Sequence, residues 1–208
     1  MNSRPNLVDR AAALSAATLH EAAGRIGALP ARIQAAWPGA RLVGPAFPLF
    51  VSAGTNLWLH RAVYAAAPGD VLICAVGAGE EFGYWGEILA VAAQARGLAG
   101  LVIDGCVRDI DQIRELAFPI FSAGRSIRGT GKQAEVPGQM GAPIEIGGVA
   151  IGRGDLVVGD SDGLVVIPSS LAADAVAGGE QRDAKEAGML AELRAGATTI
   201  DLLGLADR

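Results

Sequence analysis

The sequence predicts an α/β fold: a parallel βαβ core followed by an antiparallel β portion. Three observations carry that prediction. Residues 70–76, DVLICAV, form a continuous apolar run after a Pro-Gly turn, which is the pattern of a strand buried on both faces. From residue 70 to 123 such runs alternate with helical segments as strand, helix, strand, helix, strand, an order that demands crossovers and parallel pairing. Short β segments parted by the turns GRGD and GDSDG then read as antiparallel. With no linker, repeat or low-complexity tract, the 208 residues are expected to form a single domain, 1–208.

In chain order, residues 9–27 are Ala-rich with Leu14, Leu19 and Ile26 on a loose helical period. They predict one or two helices with Ser15 as an N-cap. Residues 41–53 are apolar but carry Pro45 and Pro48, so an irregular or edge strand is expected. Residues 56–67 have helical spacing and stop at Pro68-Gly69. After the strand at 70–76 comes a Gly-rich loop, GAGEEFGYWG, over 77–86. Residues 87–96 read as a helix closed by Gly97. A second buried strand at 101–103, a short helix at 109–116 and a third strand at 120–123 follow. Residues 124–141 are a long polar loop, a feature often tied to function. The β segments lie at 144–151, 156–158 and 164–167, and a long Ala-rich helix over 169–194 is expected to break near Gly178-Gly179.

Composition narrows the function classes. Seventeen Lys and Arg against 22 Asp and Glu leave a net charge of −5, and the cations are scattered, so the basic surface that binds nucleic acid is missing. Twenty-nine Gly and 40 Ala with only 5% aromatics describe a core of small side chains. Cys74 and Cys106 each sit in an apolar run outside any CxxC or Cys/His cluster, which argues against zinc and suits a reducing compartment. The first ten residues have no apolar signal core. The longest charge-free stretch, 42–59, is broken by Gly44, Pro45, Pro48, Gly54 and Asn56 and cannot span a membrane. A soluble, cytoplasmic protein that binds neither nucleic acid nor membrane is expected.

Ligand sites of parallel sheets lie beyond the carboxyl ends of the strands, and the loops at 77–86, 104–109 and 124–131 qualify. The first runs into a helix whose opening turn offers the N–H groups of Gly86, Glu87, Ile88 and Leu89 to an anion. The second delivers Arg108, a rigid fork for a carboxylate, and Asp109, a hard oxygen ligand for Mg²⁺ or Mn²⁺. Together they suit a small 2-oxo acid, with its carboxylate on Arg108 and the helix end and its keto oxygen on the metal. Each feature alone also has an ordinary structural reading. An Arg-Asp pair is more often a surface salt bridge or a cap, and His20 and His60 read as structural or exposed histidines. No GxGxxG or GxxxxGK[ST] supports a nucleotide. Lys132 and Lys185, the only lysines, lie outside buried apolar runs, which disfavours a Schiff base. Phe82, Tyr84 and Trp85 either shape the pocket or pack between subunits.

Residues 69–124, GDVLICAVGAGEEFGYWGEILAVAAQARGLAGLVIDGCVRDIDQIRELAFPIFSAG, closely resemble the RraA-like family. That family includes the regulator of ribonuclease E activity and the class II 4-hydroxy-4-methyl-2-oxoglutarate aldolases. GDLVVGDSDGLVVIP at 154–168 resembles the family's second block, and LSAATLHEAAG and KEAGMLAELRAG extend the likeness over nearly the whole chain. The aldolase signature is a carboxylate, twenty intervening residues, then Arg-Asp, which Glu87, Arg108 and Asp109 match. Some aldolases carry Asp where this chain has Glu87, and some carry an acid where it has Gln112.

The resemblance implies a layered α/β sandwich, like the swivelling phosphohistidine domain, assembled as homotrimers or homohexamers. It implies that Gly86, Glu87, Ile88, Leu89 and Arg108 bind substrate, with Arg108 and Glu87 catalytic. Asp109 would ligate Mg²⁺ or Mn²⁺ directly, and Glu87 would hold the ion through water. Glu186 of a neighbouring copy would do the same. The expected activity is a pyruvate aldolase with accompanying oxaloacetate decarboxylase activity. The alternative is a non-catalytic, protein-binding regulator of a ribonuclease.

Overall fold

Apolar residues that alternate between two buried faces set the centre of this molecule. A computed structural model describes residues 6–78 and 81–205, so Gly79 and Glu80 of the first loop and residues 1–5 lie outside the described residues. The chain runs α1 (Leu7–Ala12), α2 (Ala16–Ala22), β1 (Gln34–Ala35), β2 (Leu42–Val51), α3 (Leu57–Ala65) and β3 (Val71–Val76). It continues through β4 (Gly83–Trp85), α4 (Glu87–Ala95), β5 (Gly100–Val107), α5 (Ile110–Glu115), β6 (Ile120–Arg125) and β7 (Gly138–Met140). The remainder is β8 (Ile144–Ile146), β9 (Val149–Ile151), β10 (Leu156–Asp160), β11 (Gly163–Ile167), α6 (Ala172–Arg194) and α7 (Thr199–Leu203).

The main sheet has the order β1-β6-β5-β3-β2-β10-β11, with β4 added to β5 and β7 to β2. β2, β3, β5 and β6 pair in parallel, while β10 is antiparallel to both β2 and β11. The parallel core and the antiparallel portion that follows it are both present. Period-two alternation sorts the side chains. Leu72, Cys74, Leu101 and Ile103 face α3, α4 and α5 through Leu59, Val63, Leu89 and Ile113. Val71, Ile73 and Val102 face the opposite way, against Ile144 and Ile151 of the β8–β9 hairpin and Val157 and Val166 of the curled β10–β11 ribbon. The outer face of that ribbon, Leu156, Val158, Val165 and Ile167, is covered by α1, α2 and α6. Each wholly buried aliphatic side chain contributes roughly 1.5–3 kcal/mol. No helix among the described residues is long and apolar enough to cross a membrane.

Several elements differ from expectation. β2 is an interior strand with β3 on one side and β10 then β7 on the other. Its prolines are tolerated because each sits where no ladder bond is needed. Pro45 precedes the β3 ladder, which begins at Ala46, and Pro48 falls between the β10 partners, ending at Pro45, and the β7 partners, starting at Leu49. β5 runs on to Val107, so residues 104–107 are strand, and the turn after it starts at Arg108. α6 continues unbroken through Gly178-Gly179. A Cβ at Gly179 would sit 2.8 Å from Leu14 Cδ1, so this glycine admits the neighbouring helix rather than ending its own. Ser15 does cap α2, accepting from the Thr18 N–H.

Candidate active site

The site is assembled where β5 gives way to α5. Arg108 and Asp109 follow the last strand residue directly, and Asp109 adopts a left-handed backbone, φ 58° and ψ 41°. Asp is one of the few non-glycine residues that tolerate this region. The conformation turns the carboxylate back towards the start of α4, where Asp109 Oδ2 accepts the Glu87 N–H at 3.1 Å. Arg108 Nε lies 3.7 Å from the same oxygen, an ion-pair contact longer than a hydrogen bond. Both side chains are about half exposed. Among the described residues Asp109 Oδ1 has no hydrogen bond.

Two glycines make the approach possible by lacking a side chain. A Cβ on Gly86 would collide with Asp109 Oδ2 and stand 3.2 Å from Arg108 Nε. A Cβ on Gly83 would collide with the Ser126 carbonyl and come 3.2 Å from Arg108 Cδ. Gly86 has φ −147°, open to any residue, so space and not backbone freedom demands glycine there. Gly86 is the N-cap of α4 and offers no side-chain acceptor. Asp109 fills that role for one amide, and the N–H groups of Ile88 and Leu89 complete the unpaired first turn.

These groups border a cavity of about 260 Å³ lined by Gly86, Ile88, Leu89, Arg108 and Asp109. A second, more open one of about 460 Å³ flanks Arg108 and Asp109 on the side of Arg125, Ser126 and Ile127. The Glu87 side chain is exposed and lines neither cavity; only its backbone N–H enters the arrangement. Glu186 lies on α6, 2.8 Å from Arg182, beside a separate groove with Met189, Leu193 and Leu203. Within one chain the structure brings Gly86, Ile88, Leu89, Arg108 and Asp109 together and leaves Glu186 apart.

The first cavity also holds residues that sequence reasoning passed over: Asn56, His60 and Lys132. His60, expected to be a structural or exposed histidine rather than a catalyst, is half-buried in the cavity wall. Burial, and then the Lys132 ammonium, hold its pKa below the ordinary histidine value. Lys132 is brought in by long-range backbone bonds: the Gly131 N–H donates to Gly54 O at 2.7 Å, and Gly131 O accepts the Asn56 N–H at 3.1 Å. The same loop is fastened to the first loop, with the Gly83 N–H on Arg128 O at 2.8 Å and Arg128 stacked 4.0 Å over Phe82. Tyr84 and Trp85 fill the core within the chain, Trp85 parallel to Phe118, so packing between subunits is not needed to bury them. Asn56, the N-cap of α3, and His60 one turn later form this wall.

The donor set suits a hard cation. A half-exposed carboxylate with one uncommitted oxygen and open space around it matches Mg²⁺, which binds through one or two carboxylates and keeps several waters. Among the described residues no group of three His, Cys, Asp or Glu is clustered for a closed protein cage, so water, substrate or a neighbouring chain would fill the remaining positions.

Comparison with known proteins gives consistent relatives. A Halalkalibacterium halodurans protein named "Putative 4-hydroxy-4-methyl-2-oxoglutarate aldolase" is 41% identical over 128 residues, 62% of this chain and 60% of its own length. Two other curated relatives are matched over 44% and 14% of their lengths, so the chain spans less than two thirds of these proteins. A crystal structure from Pseudomonas syringae pv. tomato superposes with a TM-score of 0.80 at 30% identity, covering 92% of this chain and 94% of that one. Streptomyces coelicolor RraAS2, described as an unusual member of the RNase ES inhibitor RraA protein family, gives 0.73 at 30% identity, covering 94% and 99%. A family model described as RraA-like, Aldolase/RraA, matches residues 5–166, and with the shared fold it establishes that this chain belongs to the RraA-like family.

Proposed function

We propose that the chain is a divalent-metal-dependent carbon–carbon lyase that releases pyruvate from a 4-hydroxy-2-oxo dicarboxylate. The 4-hydroxy-4-methyl-2-oxoglutarate and 4-carboxy-4-hydroxy-2-oxoadipate types are the substrates the reading takes. The observation that carries it is the meeting of Arg108, Asp109 and the open first turn of α4 at one cavity. The aldolase name of the Halalkalibacterium relative supports the same reaction class.

Asp109 would hold Mg²⁺ or Mn²⁺ through Oδ1, and the ion when bound supplies Lewis-acid polarisation of the keto oxygen. Arg108 holds the C1 carboxylate with its planar fork. The Ile88 and Leu89 N–H groups take the same anion at the helix end. A base removes the C4 hydroxyl proton, the C4–O bond becomes a carbonyl, and the C3–C4 electrons pass into a pyruvate enolate. Arg108 offsets the charge that develops on that enolate. Protonation at C3 completes the release of pyruvate. Oxaloacetate entering the same site loses CO₂ to the same enolate, so decarboxylation accompanies aldol cleavage. Glu87, through water, and Glu186 of a neighbouring copy remain the further carboxylates this reading assigns to the ion.

Pyruvate release from oxaloacetate with Mg²⁺ tests the proposal. Wild type is expected to turn over, and Arg108→Ala to lose about 10²-fold or more in turnover, the scale for removing a donor to a developing oxyanion. If wild type releases no pyruvate yet captures a ribonuclease, the regulator reading suggested by the RraAS2 description replaces this one.

A further inference from the structure

The strand that delivers Arg108 and Asp109 changes partners along its length. β5 pairs with β3 only from Gly100 to Ile103. Between Ile103 and Cys106 its partners on β6 are Ser122 and Gly124, so Asp104 and Gly105 stand opposite the single residue Ala123 and form a bulge. Beyond the bulge β5 is flanked by β4, three residues long and itself shifted in register, and by the last two residues of β6. A Cβ on Gly105 would stand 2.9 Å from Val76 Cγ2 and 3.1 Å from Tyr84 Cδ2, on the face of α3, α4 and α5. The Asp104 side chain therefore leaves the strand on the other face. A bulge beside a site aims the side chains that come after it, and here those are Arg108 and Asp109.

Asp104 is held from outside the site. Arg32, in the segment between α2 and β1, grips it with its fork: Nη2 donates to Oδ2 at 2.7 Å and to Oδ1 at 2.8 Å, and Nε donates to Oδ1 at 3.2 Å. The Asp104 side chain is only 15% exposed, and Arg32 is its one ion-pair partner among the described residues. A bidentate pair of this kind is strong, and losing its cation strands a largely buried charge. Arg32 stands on a fixed platform. The Leu29 N–H donates to Leu164 O at 3.0 Å, the Ile33 N–H donates to Pro30 O at 2.9 Å, and Ile33 is buried. The same segment takes hold of β6, where Arg125 Nη2 donates to Ala36 O at 2.9 Å and the Ala36 N–H donates to Ile120 O at 2.8 Å. Residues 32–36 thus brace the ends of both strands that lead to the site, while neither Arg32 nor Asp104 lines a cavity there.

We infer that Arg32 is a positioning residue: by clamping Asp104 in the bulge it fixes the end of β5, and with it the aim of Arg108 and Asp109 at the start of α4. The inference rests on the lyase reading only for its effect on turnover. The aim itself has a reporter that needs no substrate, the Glu87 N–H donated to Asp109 Oδ2.

Amide hydrogen exchange followed by NMR, well below the unfolding temperature, tests this with Arg32→Met, which keeps an apolar stem and removes the fork. The Glu87 amide is expected to exchange about tenfold faster than in wild type, as a local opening would make it. The Ala46 amide, donated to Asp155 O at 2.7 Å in β2, should keep its wild-type rate. A role confined to overall stability would speed both amides alike. In the pyruvate-release assay kcat is expected to fall by about tenfold or more, as for a small misplacement transmitted from a distance. Arg32→Met/Asp104→Asn also removes the carboxylate that the single change leaves without its cation, and it should reproduce the change at Glu87. A wild-type rate at Glu87 in either variant, or an acceleration shared by Ala46, overturns the inference. Loss of Glu87 protection in a chain that releases no pyruvate would sink the lyase reading and keep the role of Arg32. Pyruvate release at the wild-type kcat with Glu87 unmoved would do the reverse.

Discussion

Asp109 is the residue on which conformation and chemistry meet. Its left-handed backbone aims the carboxylate at the α4 amides, and its charge would hold the cation. Asparagine shares the backbone tolerance and can still accept the Glu87 N–H, but it is neutral. Asp109→Asn should therefore keep stability within about 0.5 kcal/mol, as surface changes usually do, while losing Mg²⁺ binding and turnover. Thermal unfolding and a Mg²⁺ titration check the two halves separately; a variant that still binds Mg²⁺ like wild type contradicts the assignment. Gly86→Ala should leave the fold intact and reduce activity, because the added Cβ takes the place of Asp109 Oδ2.

His60 gives a prediction in pH. Its folded-state pKa lies below the ordinary value near 6.5, so on acidification the unfolded chain takes up the proton first. Stability from this group is complete above about pH 6.5 and falls as pH drops from there through the lowered folded value. His60→Gln should lose less stability than wild type between neutral pH and that window, as read by urea midpoints. Equal losses would show that the imidazole is not held neutral by the fold. Arg108 and Asp109 could be found in the sequence because they adjoin a buried strand and a helix start. Lys132 and His60 could not be connected, since only the Gly131 bonds to residues 54 and 56 bring them to one cavity.

At the scale of elements, legibility followed burial. β3 and the first halves of β5 and β6 were visible because both their faces are covered and their residues are mostly apolar, whereas Asp104 in β5 hid the strand's continuation to Val107. β4 and β7 have three residues each, too few for any period to register. β2 was misjudged because a proline costs a ladder bond only where one is made, and that depends on partners distant in sequence. The α6 glycines show the same gap, with Gly179 answering to Leu14 across the helix pair. Two substitutions on this helix should then diverge. Gly188→Ala, with nothing within 4 Å of the new Cβ, should stabilise by about 0.5–1 kcal/mol. Gly179→Leu should destabilise by about 1–3 kcal/mol by overpacking against α1 and α2. Chemical denaturation of the two variants checks the contrast, and a gain at both positions would mean α6 is not seated as described.

At the scale of the whole molecule, the antiparallel ribbon and its helical cover close one side of the sheet and leave the strand ends at β5 and β6 free to form the site. The far half of α6 and α7 carries exposed Leu190, Ile200 and Leu203, apolar surface that a monomer has little use for. Assembly into trimers or hexamers would cover it and would bring Glu186 into reach of another copy. Light scattering should then give three or six times the 21.1 kDa chain mass, and a monomer would contradict the assembly. Arg108 and Asp109 are proposed to carry a metal-assisted release of pyruvate. Its most direct test is continuous detection of pyruvate from 4-hydroxy-4-methyl-2-oxoglutarate, with Mg²⁺ and with EDTA. Steady release that EDTA abolishes and Asp109→Asn lacks is the predicted result; release that persists in both would contradict the claim.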